Sequence, residues 1–114
     1  MNQPATVPEI TPTELKARMD AGDVPVLVDV REYYEADIAD LPEELDPVRI
    51  PTAEFAARFT ELDKNGELVL YCRSGRRSAW ATQVLLQHGY QRVLNLKGGM
   101  LAWRLEVDPD LPAY

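Results

Sequence analysis

At 114 residues, 46% hydrophobic and 27% charged, the chain has room for one core and too little for two ordinary domains, a composition that excludes a disordered or fibrous protein. No apolar run approaches the ~20 residues a membrane span needs. The stretch Met1 to Thr6 has neither the basic start nor the apolar core of a secretory signal, so a cytoplasmic protein is expected. One domain is expected over residues 1–114, with a core over about 8–105 and a surface tail over 106–114.

The formal net charge of -7 is unevenly spread: residues 32–61 hold nine acids against two bases. From Leu68 to Leu105 there is no Asp or Glu, only the positive Arg73, Arg76, Arg77, Arg92, Lys97 and Arg104. The second half is therefore where an anion would be met, while the acidic run reads as a solvated face or a docking surface for a partner. So short a basic stretch in an acidic protein argues against nucleic-acid binding, where phosphate contacts dominate affinity.

Strand-like and helix-like segments alternate along the chain. Thr11-Pro12-Thr13-Glu14 is a helix start, with a threonine cap, proline at the first helical position and glutamate three after the cap, and the helix should run to about Asp20. Val24 to Val30 is apolar at nearly every position, which predicts a strand covered on both faces and hence a central parallel one. Arg31 to Ile38 is expected to be helical, and Leu41 to Pro47, with two prolines, a loop. Ile50-Pro51 should be a short extended piece, after which Thr52 caps a helix whose Ala53, Phe55, Ala56, Ala57 and Phe59 recur at three and four. Asn65-Gly66 makes a turn into a second central strand, Glu67 to Tyr71. Ser78 to His88 reads as a helix with Trp80, Ala81, Val84 and Leu85 facing inward, stopped by Gly89 in a left-handed cap. Arg92 to Leu96 is a last strand, Gly98-Gly99 a turn, Met100 to Leu105 a short helix, and the tail from Val107 to Tyr114 should run over the surface.

The chain has one cysteine, Cys72, and one histidine, His88. A lone cysteine has no internal resolving partner, and two soft ligands fall short of the four of a structural zinc site, so neither a disulfide nor a metal is expected. Cys72 stands at the carboxyl end of the second central strand, which is where ligands bind in open α/β sheets. The run Cys72-Arg73-Ser74-Gly75-Arg76-Arg77-Ser78 must close a tight arc from that strand into the next helix, and such an arc aims successive main-chain N–H groups inward. The helix N-terminus and three arginines add positive potential of the kind that favours a thiolate and attracts an anion, and Gly75 permits a positive φ. A small buried apolar cysteine is the plain alternative, but it does not account for arginine neighbours at the mouth of a strand-to-helix arc. His88, in the last turn of its helix, reads as a favourable charge at a helix end, and Trp80 and Trp103 as packing residues.

This strand-loop-helix resembles the active-site loop of single-domain rhodanese-like sulfurtransferases. Leu27-Val28-Asp29-Val30-Arg31-Glu32 is similar to the family's early strand motif, and Val93 to Trp103, through Lys97-Gly98-Gly99-Met100, to its closing segment. The resemblance spans about Val24 to Trp103 and implies a three-layer α/β fold, a central mostly parallel sheet with helices on both faces. It also implies a persulfide cycle without cofactor, in which Cys72 takes sulfur from thiosulfate or another small anionic donor and passes it to a nucleophilic acceptor. A protein could act as donor or acceptor. Arg73, Arg76 and Arg77, with the N–H groups of Ser74 and Gly75, would bind the donor and the persulfide, with Ser78 closing the loop. Asp29 and Arg31 would support the loop from the neighbouring strand, Arg31 equally fitting a surface ion pair.

Phosphatases and arsenate reductases of this fold have loops resembling Cys-x5-Arg, whereas here Ser78 stands six after Cys72 and Arg77 five, an arc suited to sulfur. A non-catalytic binding module docking through Glu32 to Glu61 is the other alternative. The chain departs from the family where a segment like His-Ile-Pro-Gly-Ala is usual: here Asp37 to Leu45 is acidic and gives no residue a family role.

Overall fold

A computed structural model describes residues 6–114, so all but the last residue of the N-terminal stretch read for a secretory signal lies outside the described residues. In chain order the elements are β1 (Glu9–Ile10), α1 (Pro12–Asp20), β2 (Val26–Asp29), α2 (Glu35–Ile38), β3 (Val48–Arg49), α3 (Thr52–Arg58), β4 (Leu68–Tyr71), α4 (Arg76–Gln87), β5 (Val93–Leu96) and α5 (Gly99–Glu106). One sheet of order β1-β5-β4-β2-β3 has every neighbouring pair parallel, with helices on both sides, which is the expected three-layer α/β architecture. No helix among the described residues is long and apolar enough to cross a membrane.

Strand pleating sorts the core into two layers. On one face Val28, Val30, Leu68, Leu70 and Cys72 meet Phe55 of α3 and Ala81 and Leu85 of α4. On the other, Leu27, Val69, Tyr71 and Leu96 meet Leu15 of α1 and Met100 and Trp103 of α5. Because side chains alternate between faces, Cys72 falls on the α4 side as a direct continuation of Leu68 and Leu70, while Tyr71 is sent to the opposite layer. β4, buried at all four residues, is the central strand the sequence predicts.

The capping box at Thr11 and Glu14 forms as expected, with Glu14 N–H donating to Thr11 Oγ1 at 3.1 Å and Thr11 N–H to Glu14 Oε1 at 2.9 Å. Several boundaries differ. Strand β2 begins only at Val26, because Pro25 lacks the N–H a ladder needs. The expected helix from Arg31 shrinks to Glu35–Ile38, since Arg31 and Glu32 are drawn into side-chain hydrogen bonds described below. The extended piece expected at Ile50-Pro51 lies two residues earlier, as β3. Thr52 is inside α3 rather than capping it, and both its N–H (3.0 Å) and its hydroxyl (2.7 Å) donate to Val30 O. Of the expected inner stripe of α3 only Phe55 is fully buried and the three alanines face solvent; a seven-residue edge helix has one turn to offer the core.

Helix α4 starts two residues earlier than predicted, which places Arg76 and Arg77 in its first turn. Trp80 stays 39% exposed, edge-on to Phe55 at 6.1 Å, so it rims the core instead of filling it. Gly89 has the left-handed conformation predicted, φ 85°. Strand β1 carried no sequence signal at two residues; Asn95 N–H and Lys97 N–H draw it onto β5 by donating to Pro8 O and Ile10 O, each at 2.9 Å.

Candidate active site

Strand β4 delivers Cys72 to the carboxyl edge of the sheet, and the chain turns at Gly75, φ 94°, into α4. Sulfur sits at the centre of the arc with no solvent exposure. Gly75 N–H donates to Sγ at 3.1 Å and Ser78 N–H at 3.5 Å, while Ser78 Oγ lies 3.4 Å away. The inward-facing N–H groups expected from the arc are thus those of Gly75 and Ser78. Ser74 is on the exposed outer side.

The loop is pinned from behind by α5. Met100 N–H donates to Cys72 O at 2.9 Å and Leu101 N–H to Arg73 O at 3.0 Å, so the free N–H groups of a helix start are satisfied by the loop's carbonyls. A second tie runs from β5: Asn95 Nδ2 donates to Gly75 O at 3.1 Å, and Asn95 Oδ1 lies 2.6 Å from Ser78 Oγ. Asn95 was not singled out from sequence. A polar residue at an inward position of Val93-Leu94-Asn95-Leu96 is the signal that could have found it.

The three arginines separate in space. Arg76 is exposed at the helix start. Arg73 donates from Nε to the main-chain oxygen of Tyr114 and lies over the Tyr114 ring at 5.4 Å. Arg77 makes a two-pronged pair with Glu35, Nη1 to Oε2 at 2.8 Å and Nη2 to Oε1 at 3.0 Å, which engages two of its five N–H groups and opposes its charge. The acid-free half of the chain therefore does not stay acid-free in the fold. Glu35 arrives from α2, 4% exposed, and its Oε2 also accepts from Glu32 N–H at 2.9 Å.

Burial opposes the charge on Glu35, but the Arg77 hydrogen bonds and the Glu32 amide outweigh it and hold the carboxyl down at about 2. The same pair raises Arg77. A carboxylate held below its ordinary value of 4.5 stabilises the fold at every pH above that value, and the contribution, about 3 kcal/mol, disappears as pH falls from 4.5 through about 2. Glu35→Gln should therefore lower the melting temperature at pH 7 and flatten its decline across that acid window. Parallel melting curves for the two proteins between pH 5 and about 2 would show the pair to be inert.

Asp29 and Arg31 lie together at the sheet's carboxyl edge, in the layer opposite Cys72. Arg31 is 1% exposed, so the surface-pair reading does not hold. Its Nε donates to Asp29 Oδ1 at 2.9 Å and its Nη2 to Asp29 Oδ2 and Asp40 Oδ1, each at 3.0 Å. Nη1 reaches Ala39 O at 2.7 Å and Tyr114 Oη at 2.8 Å. Arg49 joins both carboxylates, at 2.5 Å to Asp29 and 2.6 Å to Asp40, and Tyr71 donates to Asp40 Oδ1 at 2.7 Å. Register explains the convergence, since Asp29 stands opposite Arg49 on one side and Tyr71 on the other. Burial, with Asp29 and Asp40 nearby, raises the Tyr71 phenol far above its ordinary range and keeps it a donor.

Asp40 and Tyr114 are two further residues that sequence reasoning missed. Asp40 is the working residue of the atypical acidic segment, turned inward to hold Arg31, Arg49 and Tyr71. The tail does not simply run over the surface: Val107, Leu111 and Tyr114 pack against the second core layer, which seats Tyr114 between Arg31 and Arg73. Among the described residues no three His, Cys, Asp or Glu side chains gather as a metal site would require.

Residues 11–106 match the Rhodanese-like domain family. A sulfurtransferase of Allochromatium vinosum is 42% identical over 98 residues, covering 85% of this chain and 88% of its own. The Zea mays adenylyltransferase and sulfurtransferase MOCS3-2 is 35% identical over 109 residues, which is 92% of this chain but 23% of that protein. Among solved structures, the human single-domain sulfurtransferase superposes with a TM-score of 0.71 at 26% identity, covering 89% of this chain and 98% of its own. With the loop geometry, the sheet order and the match over nearly its whole described length, the chain belongs to the rhodanese-like domain family.

Proposed function

We propose that this protein is a sulfurtransferase that carries a sulfane sulfur on Cys72 as a persulfide. The observation that carries the reading is a sulfur fixed at the focus of two main-chain N–H groups and one hydroxyl, at the start of a helix, on a strand end. In the first step the Cys72 thiolate attacks the outer sulfur of thiosulfate, the new S–S bond forms, and sulfite leaves with the electron pair of the broken bond. In the second, a nucleophile attacks that outer sulfur and Cys72 leaves as the thiolate, so no external oxidant or reductant is consumed.

Both forms of the sulfur, thiolate and terminal persulfide, are anions, and the same N–H donors would receive each with little movement. Charge for the incoming donor would come from Arg73, Arg76 and Arg77, the last with its charge already opposed by Glu35. A protein donor or acceptor fits equally well, as in the Zea mays relative, where a sulfurtransferase is named together with an adenylyltransferase in a longer chain.

The test is to incubate the protein with thiosulfate, weigh it intact, and then add cyanide and assay thiocyanate. A mass gain of one sulfur that cyanide removes is expected for the wild type, and none for Cys72→Ser, which keeps the size and the N–H donors of the site. If the wild type gains no sulfur from thiosulfate, from a low-molecular-weight persulfide or from a protein persulfide, the enzyme reading is wrong. The binding-module alternative would then gain ground.

A further inference from the structure

The hydroxyl of Ser78 has one proton and two neighbours that could take it. Sγ of Cys72 lies at 3.4 Å and Oδ1 of Asn95 at 2.6 Å. Orientation of the Asn95 amide is not free: Gly75 O can only accept, so Nδ2 must face it at 3.1 Å and Oδ1 must face Ser78. At 2.6 Å the O–H···O bond is short and strong, so the hydroxyl proton lies on the Asn95 side and a lone pair of Oγ faces the sulfur. That arrangement suits a thiol, whose S–H can donate to the lone pair. It does not suit a thiolate or a persulfide anion, which needs Ser78 to turn and donate.

We propose that Asn95 is a positioning residue for Cys72: by holding the Ser78 hydroxyl as its own donor, it withholds the third hydrogen bond from the sulfur until the sulfur is charged. The Cys72 anion then wins the proton from Asn95, and the loop needs only a rotation about one Ser78 bond to pass between the two states. Asn95 thereby keeps one hydrogen bond from the sulfur in the resting site. The charged groups on the loop and its helix are Arg77 of α4, which acts on the sulfur electrostatically and is paired with Glu35, and the exposed Arg73 and Arg76. β5 contributes Asn95, and α5 contributes the two main-chain donors to the loop carbonyls. The only histidine, His88, lies at the far end of α4 with Nδ1 on Val84 O at 2.8 Å. With no base touching the sulfur in this set, hydrogen-bond supply is the lever that remains.

Removing the Asn95 carbonyl frees Ser78 to donate to sulfur at all times. Gly75 O keeps a partner in that variant, because Ala79 N–H also donates to it at 3.0 Å. The experiment is the pH profile of iodoacetamide alkylation of Cys72 in four proteins: wild type, Asn95→Ala, Ser78→Ala and the double variant. In the Ser78-containing pair, the midpoint of the profile should move to lower pH by about one unit in Asn95→Ala, the worth of one hydrogen bond to a charged group. In the Ser78→Ala pair the same substitution should leave the midpoint in place. No shift, a shift to higher pH, or an equal shift in both pairs overturns the proposal, the last by showing that Asn95 acts through packing. Asn95→Leu, which keeps the volume, replaces the alanine variant if that one does not fold. The inference rests on Cys72 being the nucleophile proposed above, but alkylation reads the sulfur itself, so a wild type that transfers no sulfur would sink that reading without deciding this one.

Discussion

Gly99→Ala is expected to slow sulfur loading on the order of a hundredfold and to lower the melting temperature by roughly 10–20 °C. Gly99 has φ 58°, and a Cβ built there would collide with Cys72 O and lie 2.7 Å from Arg73 O, both main-chain atoms that no side-chain rotation can clear. Relief requires α5 to back away from the loop, which breaks the bonds from Met100 N–H and Leu101 N–H to those same carbonyls. Left-handed strain and overpacking together cost about 3 kcal/mol, and that is the origin of the expected shift in a domain of this size. A displacement of the loop by even about 1 Å should cost on the order of a hundredfold in the rate of sulfur uptake. Gly22→Ala separates the two causes, since φ there is 74° but no atom lies within 4 Å of the added carbon. It should lose about 1 kcal/mol and keep its activity. A Gly99→Ala protein that loads sulfur at the wild-type rate would mean that the α5 start does not fix the loop.

Arg31→Met should be the most destabilising single change at the sheet edge, by about 3–5 kcal/mol in urea-induced unfolding. The substitution keeps the aliphatic stem but strips Asp29, Asp40, Ala39 O and Tyr114 Oη of a donor in one step. Arg49 still holds both carboxylates, so neither is left wholly unpaired, but Asp29 is buried and one arginine cannot replace the geometry of two. Against a total stability of roughly 5–15 kcal/mol, such a loss would bring a domain at the low end of that range to the edge of unfolding. A loss below about 1 kcal/mol would show the network to be decorative. The double variant Arg31→Met/Asp29→Asn is the informative partner, because removing the opposing charge should restore part of the loss.

How much of this was legible in the sequence depended on how local each feature was. The Thr11–Glu14 cap, the apolar strands β2 and β4, the Gly89 stop and the Cys72 arc are each specified by residues within a few positions of one another, and each formed. What escaped were pairings across long separations. Arg77 finds Glu35 from 42 residues away, and Tyr114 finds Arg31 from 83. No pattern of spacing marks such partners; only the strand order places them together. The inner stripe expected on helix α3 was misread for a related reason. Its alanines have helical periodicity, but an edge position gave them nothing to face. The acidic segment at Asp37 to Leu45 was unreadable because one of its acids, Asp40, turned inward while Asp37, Glu43 and Glu44 stayed in water.

The ties from α5 and β5 that seat the sulfur's end of the arc run largely through its main chain: Cys72 O and Arg73 O to α5, and Gly75 O to Asn95. Ser74 and Arg76, by contrast, stand exposed on the same loop and take no part in those ties. The seat of the sulfur and the choice of what approaches it are therefore encoded by different atoms. Substitutions at Ser74 and Arg76 can therefore retune what approaches while the main-chain seat stays in place.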